Sequence, residues 1–310
     1  MPPRKVILDT DPGIDDAVAV CFALAEPNLE VVALTATGGV VGPEQASRNL
    51  QAIVERVDPP LRPRIGVADP LQPLRTDARD LHGPGGLGGA EIPVAEKANR
   101  HLSPKVIAEE VRRWPGDVLL IGVGPMSNLA AVLTREADAL NGVSGVVAQG
   151  GSVGVGGDVT PSAEFNVYCD AGSAREVFRA DAPVTLLPLD VTNELTFGFD
   201  LLELVRSRGS RTCRLLAEIL PGFYRAYRQR FGIEGVRLNA VAAVVAAAHP
   251  GLVEKQAMHV DVETLGELTH GQTVFDRRNT PAAEPNVEVV TSIDGEAARD
   301  AVFRALEHAP

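Results

Sequence analysis

Short runs of β-branched and aliphatic residues recur along this chain, each followed by a longer segment of helical spacing. That alternation narrows the fold more than any other feature. KVILDT, LEVVALTAT, DVLLIGVG, SGVVAQGG and APVTLLPLD read as strands, and DDAVAVCFALAE, PEQASRNLQAIVERV and PMSNLAAVLTRE as the helices between them. Strands without a polar face need cover on both sides, and strand–helix–strand order provides it. The expected fold is therefore α/β, a mostly parallel sheet flanked by helices. HVDVETLGELTHGQTVFD alternates as antiparallel strands do, which predicts a few additional antiparallel strands near the C-terminus. A last strand, NVEVVTSI, leads into a helix capped by Asp294. With no internal repeat and no low-complexity tail, residues 1–310 read as a single domain.

Local signals refine this picture. In SPKVIAEEVRRW, Ser103 is expected as the N-cap with Pro104 at the first helical position. In DAGSAREVFRA, Ser173 and Glu176 are spaced as a capping box. Residues 199–248 are mostly helical by pattern, whereas 58–101 form a Pro- and Gly-rich stretch expected to be a long loop.

Composition excludes several function classes. The formal charge is −12, and an acidic surface repels phosphate backbones, so nucleic acid is not an expected partner. No apolar run reaches the ~18 residues needed to span a bilayer, so no membrane partner is expected. The N-terminal MPPRKVILDT lacks the apolar core of a signal peptide. Cys21, Cys169 and Cys213 are widely spaced and fit neither zinc ligation nor a disulfide framework, so a cytoplasmic location is expected.

VILDTDPGIDDAVAV places Asp9, Asp11, Asp15 and Asp16 at the end of one buried strand and the start of the next helix. In an open parallel sheet, ligands bind at the carboxyl ends of strands. Asp15 and Asp16 would favour a helix N-terminus through its dipole, with Asp9 and Asp11 as turn formers. That accounts for part of the cluster only. A hard divalent cation held by carboxylate oxygens accounts for all of it, and without His or Cys nearby calcium or magnesium fits better than zinc. A strand ending in DTD also fits the nucleophile loop of haloacid-dehalogenase-type phosphatases, but no strand-end Lys completes that pattern.

The block LDTDPGIDDAVA resembles the signature of the nucleoside hydrolases, the inosine–uridine-preferring N-ribohydrolases. LHGPGGLGG, GVGPMSNLA, QGGSVGVGGDVTPSAEFNVYCD, LPLDVT and VDVETLGELTHGQTVFD agree with the family in order, over nearly the whole chain. The resemblance implies the Rossmann-like nucleoside hydrolase fold and a calcium ion held by Asp11, Asp16 and the backbone carbonyl of Val123. It implies Asp11 as general base toward water on that cation, Asp15 on ribose hydroxyls, and Asp9 orienting the loop from behind. Asn166 would bind a ribose hydroxyl, Glu164 the 5′-hydroxyl, and Phe165 would pack beside the sugar. The implied reaction is hydrolysis of the N-glycosidic bond of ribonucleosides, releasing ribose and free base in purine or pyrimidine salvage, by a homodimer or homotetramer.

Departures from the family lie opposite the aspartates. A His-Asp pair that completes the family's metal site and approaches the leaving base aligns with Leu238 and Asn239, or in a shifted register with Asn239 and Ala240. Asn239 is then either a calcium ligand without charge or only a helix cap. Val40 replaces an Asn that reaches the ribose, and Asp158 one that helps hold the 5′-hydroxyl. His82, in the Gly-rich loop, is a candidate contact to the base, or simply solvated. PGFYRAYRQRF sets Phe223, Tyr224 and Tyr227 at helical spacing, as core or as pocket, with Tyr224 and Tyr227 taken as substrate contacts. Two other readings stay open: a hydrolase of a modified or non-standard ribosyl compound, and a non-catalytic ribosyl-ligand binder.

Overall fold

The computed structural model describes residues 2–90, 92–94, 100–135, 142–281 and 283–310. Among the described residues, one ten-stranded sheet runs in the order β11-β10-β12-β7-β6-β5-β1-β2-β3-β4. Its strands are β1 (Arg4–Thr10), β2 (Leu29–Ala36), β3 (Arg64–Val67), β4 (His101–Leu102), β5 (Val118–Gly122), β6 (Val143–Gln149), β7 (Val184–Leu187), β10 (Val253–Val262), β11 (Thr273–Asp276) and β12 (Val287–Ile293). The pairings from β4 across to β12 are parallel, while β10 pairs antiparallel with both β12 and β11. The alternating stretch 259–276 thus forms the antiparallel edge expected of it. A separate two-stranded ribbon joins β8 (Thr196–Phe197) to β9 (Val236–Arg237).

Both faces of the sheet are covered, and β1 shows why its sequence has no polar alternation. Val6 and Leu8 join one apolar cluster with helices α1 (Ile14–Ala25), α2 (Pro43–Val57), α10 (Arg211–Phe231), α11 (Asn239–Ala248) and α12 (Gly295–Glu307). Ile7, between them, points the other way into a second cluster with α4 (Ser103–Arg113), α5 (Ser127–Arg135) and α7 (Ala171–Phe178). Successive strand side chains face opposite sides, so a strand covered twice must be apolar at each step. Shorter helices complete the chain: α3 (Arg79–His82), α6 (Phe165–Cys169), α8 (Leu189–Thr192) and α9 (Phe199–Ser207). Among the described residues no helix is long and apolar enough to cross a membrane.

Three local expectations need correction. The stretch 58–101 is not all loop: Arg64–Val67 pairs with β2, and Arg79–His82 is helical; residues 91 and 95–99 lie outside the described residues. Four residues flanked by prolines are too few to show strand periodicity. Ser103 does not cap α4, since Leu102 holds that position and the Ser103 hydroxyl donates instead to the Ala36 carbonyl at 2.7 Å. Nor does Ser173 begin a capping box: Asp170 is the N-cap of α7, accepting from the Ser173 amide at 3.0 Å and its hydroxyl at 2.7 Å. In both cases a nearer partner won the serine. Asp294 caps α12 as expected, accepting from the Ala297 amide.

Candidate active site

The chain order reverses at β1, which has β2 on one side and β5 on the other, and such a switch point opens a crevice at the carboxyl ends of the strands. A cavity of about 660 Å³ lies there. Segments after several strands line it: Asp11, Asp15 and Asp16 after β1, Val40 after β2, Val123 after β5, and Leu189 after β7. The size suits a small molecule.

The aspartates divide their work. Asp9 lies behind the cavity, with Oδ1 accepting from Thr35 Oγ1 at 2.6 Å and Asn128 Nδ2 at 2.8 Å. Burial raises its pKa to about 7, against these two hydrogen bonds. Asp11 lines the cavity and accepts from the Val40 amide through Oδ2 at 2.8 Å. Asp16 is tied locally, taking the Thr10 hydroxyl at 2.6 Å on Oδ1 and the Gly13 amide at 3.1 Å on Oδ2. The bond to Gly13 is helix capping, so the cap reading of Asp16 and its place in the cavity hold together. Burial and then the neighbouring Asp15 raise Asp16 to about 8. Burial, then the charge of Asp16, raises Asp11 well above the usual carboxylate range, and burial raises Asp15 as well. Among the described residues no Lys or Arg pairs with Asp11, Asp15 or Asp16. Without a paired cation, the cluster meets its mutual repulsion by holding protons more tightly.

The second wall comes from 156–166. Asn166 donates through Nδ2 to the Val123 carbonyl at 2.9 Å and to Gln149 Oε1 at 2.8 Å, which turns its Oδ1 away from those partners. Glu164 is the N-cap of α6. Its Oε2 accepts from the amides of Gly151 and Val167, both at 3.0 Å, and its Oε1 from Gln149 Nε2 at 3.2 Å. Burial, then the charge of Asp158, lifts Glu164 to about 7. Asp158 stands at the more open side and accepts from the Phe165 amide at 2.9 Å. Asp158, Glu164, Phe165 and Asn166 all line the cavity.

The third wall is aromatic. His82 is buried, not solvated, and its Nδ1 accepts from the Ile14 amide at 2.9 Å. Burial lowers its pKa to about 4, so the ring is neutral at pH 7. With Nδ1 engaged as acceptor, the ring proton resides on Nε2. Gly13 permits this contact, since a methyl group there would sit 2.6 Å from His82 Nδ1. Phe223 lies 4.9 Å from the His82 ring and Tyr227 4.8 Å from Phe223, and both line the cavity. Tyr224 does not line it, contrary to the sequence reading. One residue turns the helix by about 100°, which points Tyr224 toward Phe199 and lets its hydroxyl donate to the Gly198 carbonyl at 2.6 Å.

Asn239 and Leu238 part company. Asn239 is the first residue of α11, with Leu238 at the cap position, so Asn239 is not the cap. Its side chain lines the cavity, and its Oδ1 is buried without a hydrogen-bond partner. Leu238 is fully buried in the apolar cluster under α1 and α11. Sequence reasoning passed over Gln149, Asn193 and Arg237, which also line the cavity. Each carried a faint signal: a polar side chain ending or interrupting an apolar run.

These donors fit a hard cation. Among the described residues there is no group of three or more His, Cys, Asp or Glu side chains able to hold a metal ion. Two carboxylates, an amide oxygen and a carbonyl form a different set, all oxygen, which suits calcium or magnesium. The orphaned Oδ1 of Asn239 is the observation that favours it. A buried acceptor with no donor is costly, and a cation would relieve it and the carboxylate repulsion together.

Comparison with known proteins agrees with this geometry. The sequence profile of the family described as "Inosine-uridine preferring nucleoside hydrolase" matches residues 6–300. A pyrimidine-specific ribonucleoside hydrolase, RihA, of Shewanella sp. (strain ANA-3) is 32% identical over 308 residues, covering 98% of this chain and 96% of the relative. Among solved structures, a plant nucleoside hydrolase superposes with a TM-score of 0.89 at 28% identity over 100% of both chains. A purine-preferring ribonucleoside hydrolase from Gardnerella vaginalis gives 0.90 at 27% identity over 98% of both chains. The chain belongs to the inosine–uridine-preferring nucleoside hydrolase family, whose members are N-glycosyl hydrolases.

Proposed function

We propose that this chain hydrolyses the N-glycosidic bond of ribonucleosides in a calcium-dependent reaction, with Asp11, Asp16, the Val123 carbonyl and Asn239 as the cation's protein ligands. The observation that carries this reading is the Oδ1 of Asn239, unpartnered among the described residues, which shares a cavity with the buried Asp11 and Asp16 and the half-buried Asp15, none of them paired with a described Lys or Arg. Bound there, a divalent cation supplies charge neutralisation and lowers the pKa of a coordinated water.

The chain's own residues do the remaining work. Asp11 is the general base: its Oδ2 is held by the Val40 amide, and its proton affinity is raised by burial and by Asp16. As the water oxygen bonds to C1′, the bond from C1′ to the base nitrogen breaks with its electron pair going to the base, one water proton passes to Asp11, and the departing base takes up a proton from solvent. Asp15, Asn166, Glu164 and Asp158 hold sugar hydroxyls, and Phe165 packs beside the ring. A site that hydrogen-bonds each hydroxyl rejects deoxy sugars, because a missing partner leaves buried groups unpaired. The carboxylates also favour the positive charge that develops on an oxocarbenium-like ribosyl group. His82, with its proton on Nε2, faces the base together with Phe223 and Tyr227. Relatives named as pyrimidine-specific and as purine-preferring both resemble this chain, so family membership alone does not select the base.

Release of reducing sugar from a panel of ribonucleosides, with added calcium and with chelator, tests the proposal. Ribose release that chelation and Asp11→Ala each abolish supports it. Tight binding of a ribonucleoside with no release at high enzyme concentration would establish a binder instead.

A further inference from the structure

Among the described residues, one arginine lining the cavity has a side chain with no ion-pair partner and a buried Nε with no acceptor. Arg237 ends β9, and its backbone is fixed by pairing with Thr196 and by a 3.4 Å hydrogen bond from the Tyr227 hydroxyl to its carbonyl. Its side chain lines the cavity, yet its Nε is buried without a hydrogen-bond partner. No carboxylate forms an ion pair with it among the described residues, although several line the same cavity. The other arginine there, Arg230, is occupied by Asp80. A buried guanidinium Nε without an acceptor is unfavourable, and the planar fork it belongs to matches a carboxylate or phosphate.

We propose that Arg237 binds an anionic group on the leaving base, so that the preferred substrates are ribosides whose aglycone carries a carboxylate. The inference rests on the ribohydrolase reading, which sets the sugar among the acidic residues. Arg237 lies beside the aromatic wall: its backbone carbonyl accepts from the Tyr227 hydroxyl, and Tyr227 contacts Phe223 and through it His82. A flat heterocycle resting on those aromatic side chains would present a ring substituent to the guanidinium. A phosphate on the 5′-hydroxyl would instead meet Glu164 and Asp158, which repel it.

Matched pairs test the assignment: uridine with 5-carboxyuridine, and nicotinamide riboside with nicotinate riboside, with uridine 5′-monophosphate as the phosphate control. For each, kcat/KM for ribose release is measured with calcium present, and Kd by calorimetry, for the natural protein, Arg237→Gln and Arg237→Lys. The carboxylated member of at least one pair should be favoured about 10- to 100-fold, as expected of a charge-assisted bidentate contact. That ratio should fall toward one in Arg237→Gln and be partly retained in Arg237→Lys, with folding checked by circular dichroism. Equal or weaker use of both carboxylated compounds by the natural protein overturns the proposal without help from any variant. So does an equal loss for both members of a pair in Arg237→Gln, which would mean that Arg237 stabilises any departing base. Preference for the 5′-monophosphate would move the anion to the sugar and overturn it too. If no compound releases ribose, the ribohydrolase reading fails, and the Kd ratios still decide whether Arg237 selects an anion.

Discussion

Gly39 lies so close to Asp11 that a methyl group on its Cα would stand 2.0 Å from the aspartate Oδ2. Gly124, across the carboxylate, would place one 2.6 Å from Oδ1. The two glycines are the walls of a slot that fits one carboxylate orientation. Gly39→Ala should therefore move Asp11 without removing it. We expect ribose release to fall on the order of 100-fold, the usual cost of misplacing a reacting group by about 1 Å. Steady-state kinetics with circular dichroism on the same sample checks this, and full activity would mean that the position of Asp11 does not matter to the reaction.

The raised carboxylates make stability depend on pH in a defined direction. Asp9 and Glu164 at about 7 and Asp16 at about 8 bind protons more tightly when folded than the unfolded chain does. Without a cation, their contribution is most favourable below the ordinary carboxylate pKa of about 4, and it declines as pH rises through 7 and 8. Calcium would compete with the protons on its ligands Asp11 and Asp16, so the gain in Tm on adding calcium should be larger at pH 8 than at pH 5. Thermal scans at both pH values, with calcium and with chelator, read this directly. An equal shift at both would show that the cation does not bind at these groups.

Asn239→Asp separates affinity from stability. The added charge should tighten calcium binding on the order of tenfold, since affinity at oxygen sites rises with ligand charge. The same change should lower the Tm of the chelated protein, because another negative charge joins three already buried together. Calorimetry and thermal scans supply the two readings. Unchanged calcium affinity would remove Asn239 from the ligand set.

Leu238→His introduces the residue that the resemblance implies for this position in one of its two registers, and it should fail. Leu238 is sealed in the apolar cluster and does not line the cavity. An imidazole there loses packing and finds no hydrogen-bond partner, at a cost of about 2–4 kcal/mol. Denaturant titration should show that loss, with no rise in ribose release.

The two tyrosines should behave differently. Tyr224→Phe deletes a hydroxyl that donates to the Gly198 carbonyl, and should cost about 1 kcal/mol of stability with KM unchanged. Tyr227→Ala removes a cavity wall and should raise KM. A shift in KM for Tyr224→Phe would return that residue to the pocket.

The strand-and-helix order and the aspartate cluster were legible in the linear sequence because they depend on near neighbours. A twice-covered strand must be apolar throughout, as Val6, Ile7 and Leu8 are, and four aspartates around one turn crowd together whatever the rest of the chain does. The caps at 103 and 173 were misread because a distant backbone carbonyl, that of Ala36, and a nearby carboxylate, that of Asp170, took the two hydroxyls.

By itself, then, the sequence determined the parallel sheet, the carboxylates at the end of its first strand, and the family. Tertiary structure alone decided which side chains complete the cavity. It sent Leu238 inward and Asn239 into the cavity, buried His82 against the Ile14 amide, turned Tyr224 away from Tyr227, and left the Arg237 Nε without an acceptor among the described residues. The physical reason is rotation: one step along a helix or an extended segment swings a side chain by 100° or 180°. Only the packing of the neighbouring elements says which of those directions is the cavity.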